Sequence, residues 1–275
     1  MIHEIFPDLM DNQYRSCSPS EDSRMIFMKS REICIREKEG LLSWPLYGEV
    51  MAAAGRTVYL FSISGHEYFL AEHTGGELPG DMKWENWMAL RDKKPVAEAF
   101  AAMTAMHLYT WYSSVQYCGR CGHKAEHDSR ERMMRCPSCG NLMFPKISPA
   151  VVAAVTDGKG RILLTKYAGR ANAQYALVAG FIEIGETAEE CVKREVLEEV
   201  GLPVKNVKYY GSQPWGFVGN LMMGFTAELD GDADIVLDEQ ELSAGQWLTR
   251  EEVPEIEDYS SLTREMIRRF RMGEL

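Results

Sequence analysis

The stretch Gly180-Phe-Ile-Glu-Ile-Gly-Glu186, running on through Thr187 to Arg194-Glu195-Val196-Leu197-Glu198-Glu199-Val200-Gly201-Leu202, decides how the rest of the chain is read. Thr187 and Glu190 have the spacing of a capping box, so a helix should begin there. Gly201 is placed to end it in the left-handed conformation. Between them Glu195, Glu198 and Glu199 stand at i, i+3 and i+4, which puts three carboxylates on one helix face. Like charges so close weaken a bare helix. Two readings follow: a solvated acidic face, or a site for a hard divalent cation such as Mg²⁺ or Mn²⁺, which takes carboxylate oxygens and clamps a pyrophosphate. Arg194 can pair with one of the carboxylates and hold its orientation.

Around this helix the sequence alternates strands and helices without a regular β-α-β repeat. Ala150–Val155 and Arg161–Thr165 flank the turn Asp157-Gly158-Lys159-Gly160, a hairpin signal. Further strands are expected near Val207–Gln213, Leu221–Glu228 and Gly245–Leu248, with a closing amphipathic helix over Ser260–Arg271. Towards the N-terminus, Arg56–Ile63 and Glu67–Leu70 read as strands, Thr74–Gly80 as a loop, and Val96 to about Tyr112 as a packing helix. The fold class is α+β. No P-loop, G-x-G-x-x-G or internal repeat is present.

Two C-x-x-C pairs, Cys118/Cys121 and Cys136/Cys139, stand 14 residues apart. Two such knuckles can close a tetrahedral Zn²⁺ site with no open position. One pair alone would also suit a redox dithiol; two spaced pairs favour structural zinc. The three remaining cysteines, Cys17, Cys34 and Cys191, bring the total to an odd seven and fit a reducing, cytoplasmic compartment.

The chain has 275 residues, a formal charge of −11 and 45% hydrophobic residues, the make-up of a globular protein of about two domains. That acidity disfavours nonspecific DNA binding over the whole surface. The segment from Cys118 to Lys146 is the exception, with Arg120, Lys124, Arg130, Arg132, Arg135 and Lys146 against Glu126, Asp128 and Glu131. No secretory signal is visible at the N-terminus. The uncharged run Ala99–Gly119 contains His107 and Gln116 and is too polar for a membrane span, so no membrane partner is expected.

The 180–202 stretch resembles the Nudix box, G-x5-E-x7-R-E-U-x-E-E-x-G-U with U aliphatic, at every defined position. The resemblance implies an α/β/α sandwich that hydrolyses a nucleoside diphosphate linked to another moiety. It implies metal ligands at Glu195 and Glu199, a further ligand at Glu228 on a neighbouring strand, and catalytic roles for Arg194 and Glu198, the latter in metal binding or water activation. A four-cysteine ribbon before such a domain is similar to the NADH pyrophosphatase subfamily, also described as NAD-capped RNA hydrolases. That subfamily carries S-Q-P-W-P-F-P-x-S; the chain has Ser212-Gln213-Pro214-Trp215-Gly216-Phe217-Val218-Gly219-Asn220. Gly216 and Val218 replace prolines, which makes a loop less preorganised, and Asn220 replaces a serine while keeping hydrogen-bonding groups.

The resemblance therefore implies a small N-terminal α+β domain (1–113), a zinc ribbon (114–145) and a Nudix domain (146–275). Around the nucleotide it places Glu131, Phe144, Ala179, Phe181, the stretch Gln213, Pro214, Trp215, Gly216, Phe217, Val218, Gly219 and Asn220, and Gly245. It implies one structural Zn²⁺ per chain, catalytic Mg²⁺ or Mn²⁺, a homodimer, and as substrate NAD(H) or an NAD-capped RNA. ADP-ribose or dinucleoside polyphosphates as main substrates, and a non-catalytic NAD- or RNA-binding regulator, are the competing readings.

Overall fold

The computed structural model describes residues 1–169, 174–257 and 260–275. By its contacts the chain divides into two compact units. One comprises residues 2–146 and the turn Gly216–Gly219; the other comprises Met1, 147–215 and 220–275.

In the first unit a mixed sheet is built from β1 (Met10–Asp11), β2 (Arg24–Lys29), β3 (Glu32–Lys38), β4 (Leu41–Ser43), β5 (Ala54–Ile63), β6 (His66–His73) and β7 (Met82–Asn86). Its order is β1-β5-β6-β2-β3-β4, with β7 also paired to β3. The expected strands at 56–63 and 67–70 are the central hairpin β5–β6. A one-turn helix α1 (Tyr47–Val50) precedes β5, and α2 (Val96–Ser114) packs near the sheet through a flank rich in alanine and methionine. Glu98 on α2 is held by the Trp44 indole N–H (2.7 Å), the Tyr68 hydroxyl (2.9 Å) and the Arg24 guanidinium. A part-buried carboxylate with three donors is satisfied rather than reactive. Among the described residues no helix is long and apolar enough to cross a membrane.

The cysteine module adds the short strands β8 (Glu126–His127), β9 (Met134–Arg135) and β10 (Leu142–Met143), paired in the order β10-β9-β8. The two knuckles are copies of one turn. Gly122 donates its N–H to the carbonyl of Cys118 and Gly140 to that of Cys136, each with φ above +70°. Such a φ suits a residue without Cβ. All seven cysteines are free thiols. The four Sγ atoms of Cys118, Cys121, Cys136 and Cys139 lie within 4.8 Å of one another, with closest pairs at 3.4–3.6 Å. Tetrahedral zinc with Zn–S bonds of about 2.3 Å needs thiolates roughly 3.8 Å apart, so the cysteines fit the ion.

The second unit is a three-layer arrangement. Its sheet contains β11 (Ser148–Thr156), β12 (Arg161–Tyr167), β13 (Val178–Phe181), β14 (Val204–Trp215), β15 (Asn220–Leu229) and β16 (Leu242–Thr249), in the order β14-β15-β11-β12-β16 with β13 also on β11. Helix α3 (Ala188–Val200) covers one face through Cys191, Val192, Val196 and Val200; α4 (Leu262–Met272) covers the other through Leu262, Met266, Ile267 and Phe270. The expected β11–β12 hairpin is splayed, with Thr156 opposite Ile162 as its paired position. β13 lies against β11 from Ala150 to Ala153 instead, and β15 runs parallel along the other edge. This places the β13 end of the 180–202 stretch near the centre of the sheet.

Candidate metal and nucleotide site

Helix α3 begins and ends as its sequence dictates. Thr187 accepts from the Glu190 N–H (3.2 Å), the Glu190 carboxylate accepts from the Thr187 N–H (2.9 Å), and Gly201 closes the helix at φ +70°. The loop before it is fixed by Glu186, whose carboxylate accepts the Glu183 N–H at 3.1 Å. Arg194 then gathers four elements of the site. Its guanidinium makes two bonds to Glu186 (2.8 and 2.9 Å) and reaches Glu195 (2.7 Å), Glu198 (2.9 Å) and the Phe181 carbonyl (3.0 Å). Paired with it, Glu186 is held at a pKa of about 2. A charge-assisted fork of this kind fixes direction as well as position.

The three carboxylates of α3 are not equivalent. Glu198 points to solvent, 60% exposed, whereas the side chain of Glu195 is 13% exposed and Glu199 is buried. The one shared face expected from the spacing is thus split, because the 100° step from Glu198 to Glu199 crosses the boundary of the buried stripe. Glu195 lies directly over Gly180: a Cβ built on that glycine would fall 1.9–2.2 Å from its carboxylate atoms. Burial raises the pKa of Glu195 against the opposing pull of Arg194. Burial, then repulsion from Glu195 and Glu241, pushes Glu199 up to about 8, with a backbone hydrogen bond from Ala179 pulling the other way. Glu199 Oε2 is buried without a hydrogen-bond partner.

The additional acid is Glu241, and it arrives by a route remote in sequence. Residues 236–238 run along the C-terminal end of α3, where the N–H groups of Val236 and Asp238 donate to the carbonyls of Val200 and Glu199, both at 3.0 Å. Those carbonyls have no partner within the helix. The Asp238 carbonyl then accepts the N–H groups of Glu241 and Leu242, so Glu241, exposed and just before β16, comes near enough to the α3 acids to push up Glu195 and Glu199. Sequence reading missed this residue and the gripping role of Glu186. The acidic run Asp238–Glu241 was a signal, but nothing local tied it to α3.

Glu228, expected as a ligand, requires correction. On β15 the residues Phe225 and Ala227 pack in the α3-side core, while Met222 packs with the α4 side and a Cβ on Gly224 would meet Met266 and Leu262. Side chains alternate along a strand, so Glu228 faces away from α3. It is exposed and accepts a hydrogen bond from Asn206 at 2.9 Å.

The stretch expected to form a nucleotide loop is also different. Gln213, Pro214 and Trp215 are the last residues of β14, paired with Met222, Leu221 and Asn220, and only Gly216–Gly219 form a turn. Gln213 is 1% exposed, and both ends of its amide are engaged, its N–H₂ with the Ser260 carbonyl (2.8 Å) and its oxygen with the Leu262 N–H (2.7 Å). It fastens the start of α4. Phe217 is buried, Trp215 is half-buried, and Val218 is exposed. Gly216 is crowded, since a Cβ there would sit 2.7 Å from the Met103 carbonyl oxygen. Asn220 is buried with its Oδ1 unpartnered. Gly245 lies in β16 under Leu237 and Ile235, and a Cβ would fall 2.8 Å from Leu237.

Phe181 has an exposed ring on a backbone pinned by Arg194, which suits a stacking surface. Ala179 is its half-buried neighbour on the same face of β13. Glu131 and Phe144, both exposed, belong to the first unit.

Glu195 and Glu199, with the exposed Glu241 near enough to push both pKa values up, are hard oxygen donors. Arg194 offsets the charge of Glu195, while Glu199 keeps a buried oxygen without a partner. Oxygen-rich, anionic and partly dry, the set fits Mg²⁺ or Mn²⁺ rather than a soft metal.

Comparison with known proteins gives the following. Residues 146–270 match the model of the NUDIX domain and residues 113–144 that of the NADH pyrophosphatase zinc ribbon domain. The chain is 37% identical to a protein of Chromobacterium violaceum described as NAD-capped RNA hydrolase NudC, over 73% of this chain and 78% of that one. It is 36% identical to the protein of the same description from Vibrio cholerae, over 65% of this chain and 66% of that one. For the Pseudomonas aeruginosa protein so described, identity is 38% over 59% of this chain and 58% of that one. The matched part thus spans roughly three fifths to three quarters of these relatives.

Proposed function

The chain belongs to the Nudix hydrolases that carry an NADH pyrophosphatase zinc ribbon, and from this premise we propose that it hydrolyses the pyrophosphate of NAD(H), free or as the 5′ cap of an RNA. The products are nicotinamide mononucleotide and AMP, or 5′-monophosphate RNA. The observation that carries this reading is the state of Glu199: buried, crowded by Glu195 and Glu241, with one oxygen unpartnered. A group left so costly in the free protein is balanced by a cation that arrives with an anionic substrate.

Glu195, Glu199 and Glu241 would hold Mg²⁺ or Mn²⁺, which when bound polarises the phosphoryl oxygens and lowers the pKa of water. Arg194 keeps Glu195 aimed through its bonds to Glu186, and Gly180 leaves the space that Glu195 occupies. Glu198 is solvent-facing and held to the site through Arg194, so it is the carboxylate placed to accept a proton from the attacking water. Water oxygen bonds to one phosphorus, the bridging P–O bond breaks, and its electron pair leaves on the other phosphate. Phe181 supplies an aromatic face for a base. Cys17, Cys34 and Cys191, outside the ribbon and unpaired, support a reducing, cytoplasmic setting, and kinship with the subfamily supports a homodimer.

One observation favours a second reading. Gln213 is engaged in fastening α4, and Gly216 stands where the subfamily has a proline, with its Cβ position crowded by the Met103 carbonyl. Selection of nicotinamide then loses those groups, and ADP-ribose becomes a competing substrate. Incubation with NADH, NAD, ADP-ribose and an NAD-capped RNA in Mg²⁺ or Mn²⁺, with Glu199→Gln in parallel, separates the readings. Nicotinamide mononucleotide that disappears in the variant supports NAD hydrolysis. Turnover of ADP-ribose alone would transfer the assignment, and binding without any turnover would make the protein a regulator.

A further inference from the structure

The first unit contains a cavity of about 630 Å³ none of whose lining residues belongs to the metal site. It opens between the ends of β2, β5, β6 and β7, the last turns of α2 and the zinc ribbon. Its size is within the ~300–1,000 Å³ of ligand-binding clefts. Three cations line it, Lys29, Arg56 and Lys124, against one carboxylate, Glu72. In a chain of net charge −11 this is a local excess of positive charge. Neither Arg56 nor Lys124 has an ion-pair partner among the described residues. Uncompensated cations around a concave surface repel each other and concentrate anions.

Three large aromatic rings also line it, beside aliphatic residues such as Val58 and Leu70. Trp84, Tyr109 and Tyr112 are each only half-buried. Lys29 Nζ sits 4.1 Å from the centroid of the Trp84 ring, a cation–π arrangement that fixes the indole. Tyr112 stacks on His127 with centroids 4.9 Å apart and planes at 22°. Burial and the charge of Arg56 hold the His127 pKa down at about 4, so the ring is uncharged and serves as a flat backing for Tyr112. Flat π-surfaces beside unpaired cations are what a nucleotide requires, one for its base and the other for its phosphate.

We propose that this cavity is a second nucleotide site, taking a nucleoside 5′-monophosphate unit with its phosphate at Arg56 and Lys124 and its base against the Tyr109–Tyr112 and Trp84 rings. The unit is either a free nucleotide or one residue of an RNA chain. The site stands independently of the activity assigned to the Glu199 centre, because binding here and hydrolysis there are measured separately.

Photolabelling of the intact protein with 8-azido-AMP, followed by peptide mapping, tests it. Label is expected on peptides carrying Trp84 or Tyr109–Tyr112, competed by unlabelled AMP. Arg56→Glu and Lys124→Glu, both at exposed positions, should each cut that label at least about fivefold, and Tyr112→Ala about fivefold to tenfold. NADH turnover by the two charge variants should stay within about twofold of the parent. Circular dichroism of each variant establishes that it is folded. Competition by 5′-monophosphorylated hexa-adenylate at a tenfold lower concentration than AMP identifies RNA as the source, and equal competition identifies free nucleotide. Label confined to residues 147–275, or undiminished in both charge variants, overturns the proposal.

Discussion

The two metal centres are built in opposite ways. In the ribbon, four thiols from two knuckles 14 residues apart already lie at the mutual distances of a tetrahedral site. In the second unit the carboxylates come from α3 and from the turn just before β16, some forty residues later, and they repel each other until a cation is present. The first centre is closed and serves stability; the second is left electrostatically incomplete and serves chemistry. The same contrast separates a local motif from one assembled by tertiary contacts. Each measurement below either widens that contrast or removes it.

The largest effect is expected at the incomplete centre. Glu199→Gln removes the charge a cation needs while keeping shape, and kcat with saturating Mg²⁺ should fall at least about 10³-fold. Retention of a tenth of the activity would mean that the buried acid is a structural residue. At the closed centre the effect should be on folding. Cys136→Ser, or removal of zinc with a strong chelator, should destabilise the first unit by more than about 3 kcal/mol in urea unfolding. Unchanged unfolding on chelation would show that the knuckles stand without an ion.

How much of this was legible in sequence follows the same division. The capping box, the Gly201 cap and the knuckles are local, and their hydrogen bonds appear where the residue pattern puts them. The long-range placements were not. Whether Glu228 or Glu241 joins α3 depends on strand parity and on how residues 236–238 run along the end of the helix, and neither leaves a mark in a window of ten residues. The amide partners of Gln213 were equally out of reach, because the Ser260 carbonyl and the Leu262 N–H lie 47 and 49 residues away in the chain.

A paired comparison tests the acid assignment. Glu241→Gln should weaken Mg²⁺ binding or lower kcat about 10–100-fold, whereas Glu228→Gln, on the face of β15 away from α3, should change either by less than about twofold. Reversed magnitudes would restore Glu228 to the site and place Glu241 outside it. Gly180→Ala should resemble the Glu241 variant, because a methyl group cannot coexist with Glu195 in its present position.

The smallest expected effect is on the pH dependence of stability in the metal-free protein. Glu199 has its folded-state pKa raised from 4.5 to about 8, mainly by burial. Between these values the unfolded chain has released the proton and the folded chain retains it, so the folded state binds more protons. Stability therefore decreases as pH rises through this window and levels off above about 8. Urea unfolding of the metal-free protein at pH 5 and pH 8.5 should show a loss of stability attributable to this group, with the slope removed in Glu199→Gln. Mg²⁺ competes with that proton, so binding near pH 7 should release protons in proportion to the metal taken up. The closed centre shows no such coupling to Mg²⁺. A pH profile identical in the parent and the variant would mean that Glu199 is already ionised in the empty site, and the two centres would then differ in ligand chemistry alone.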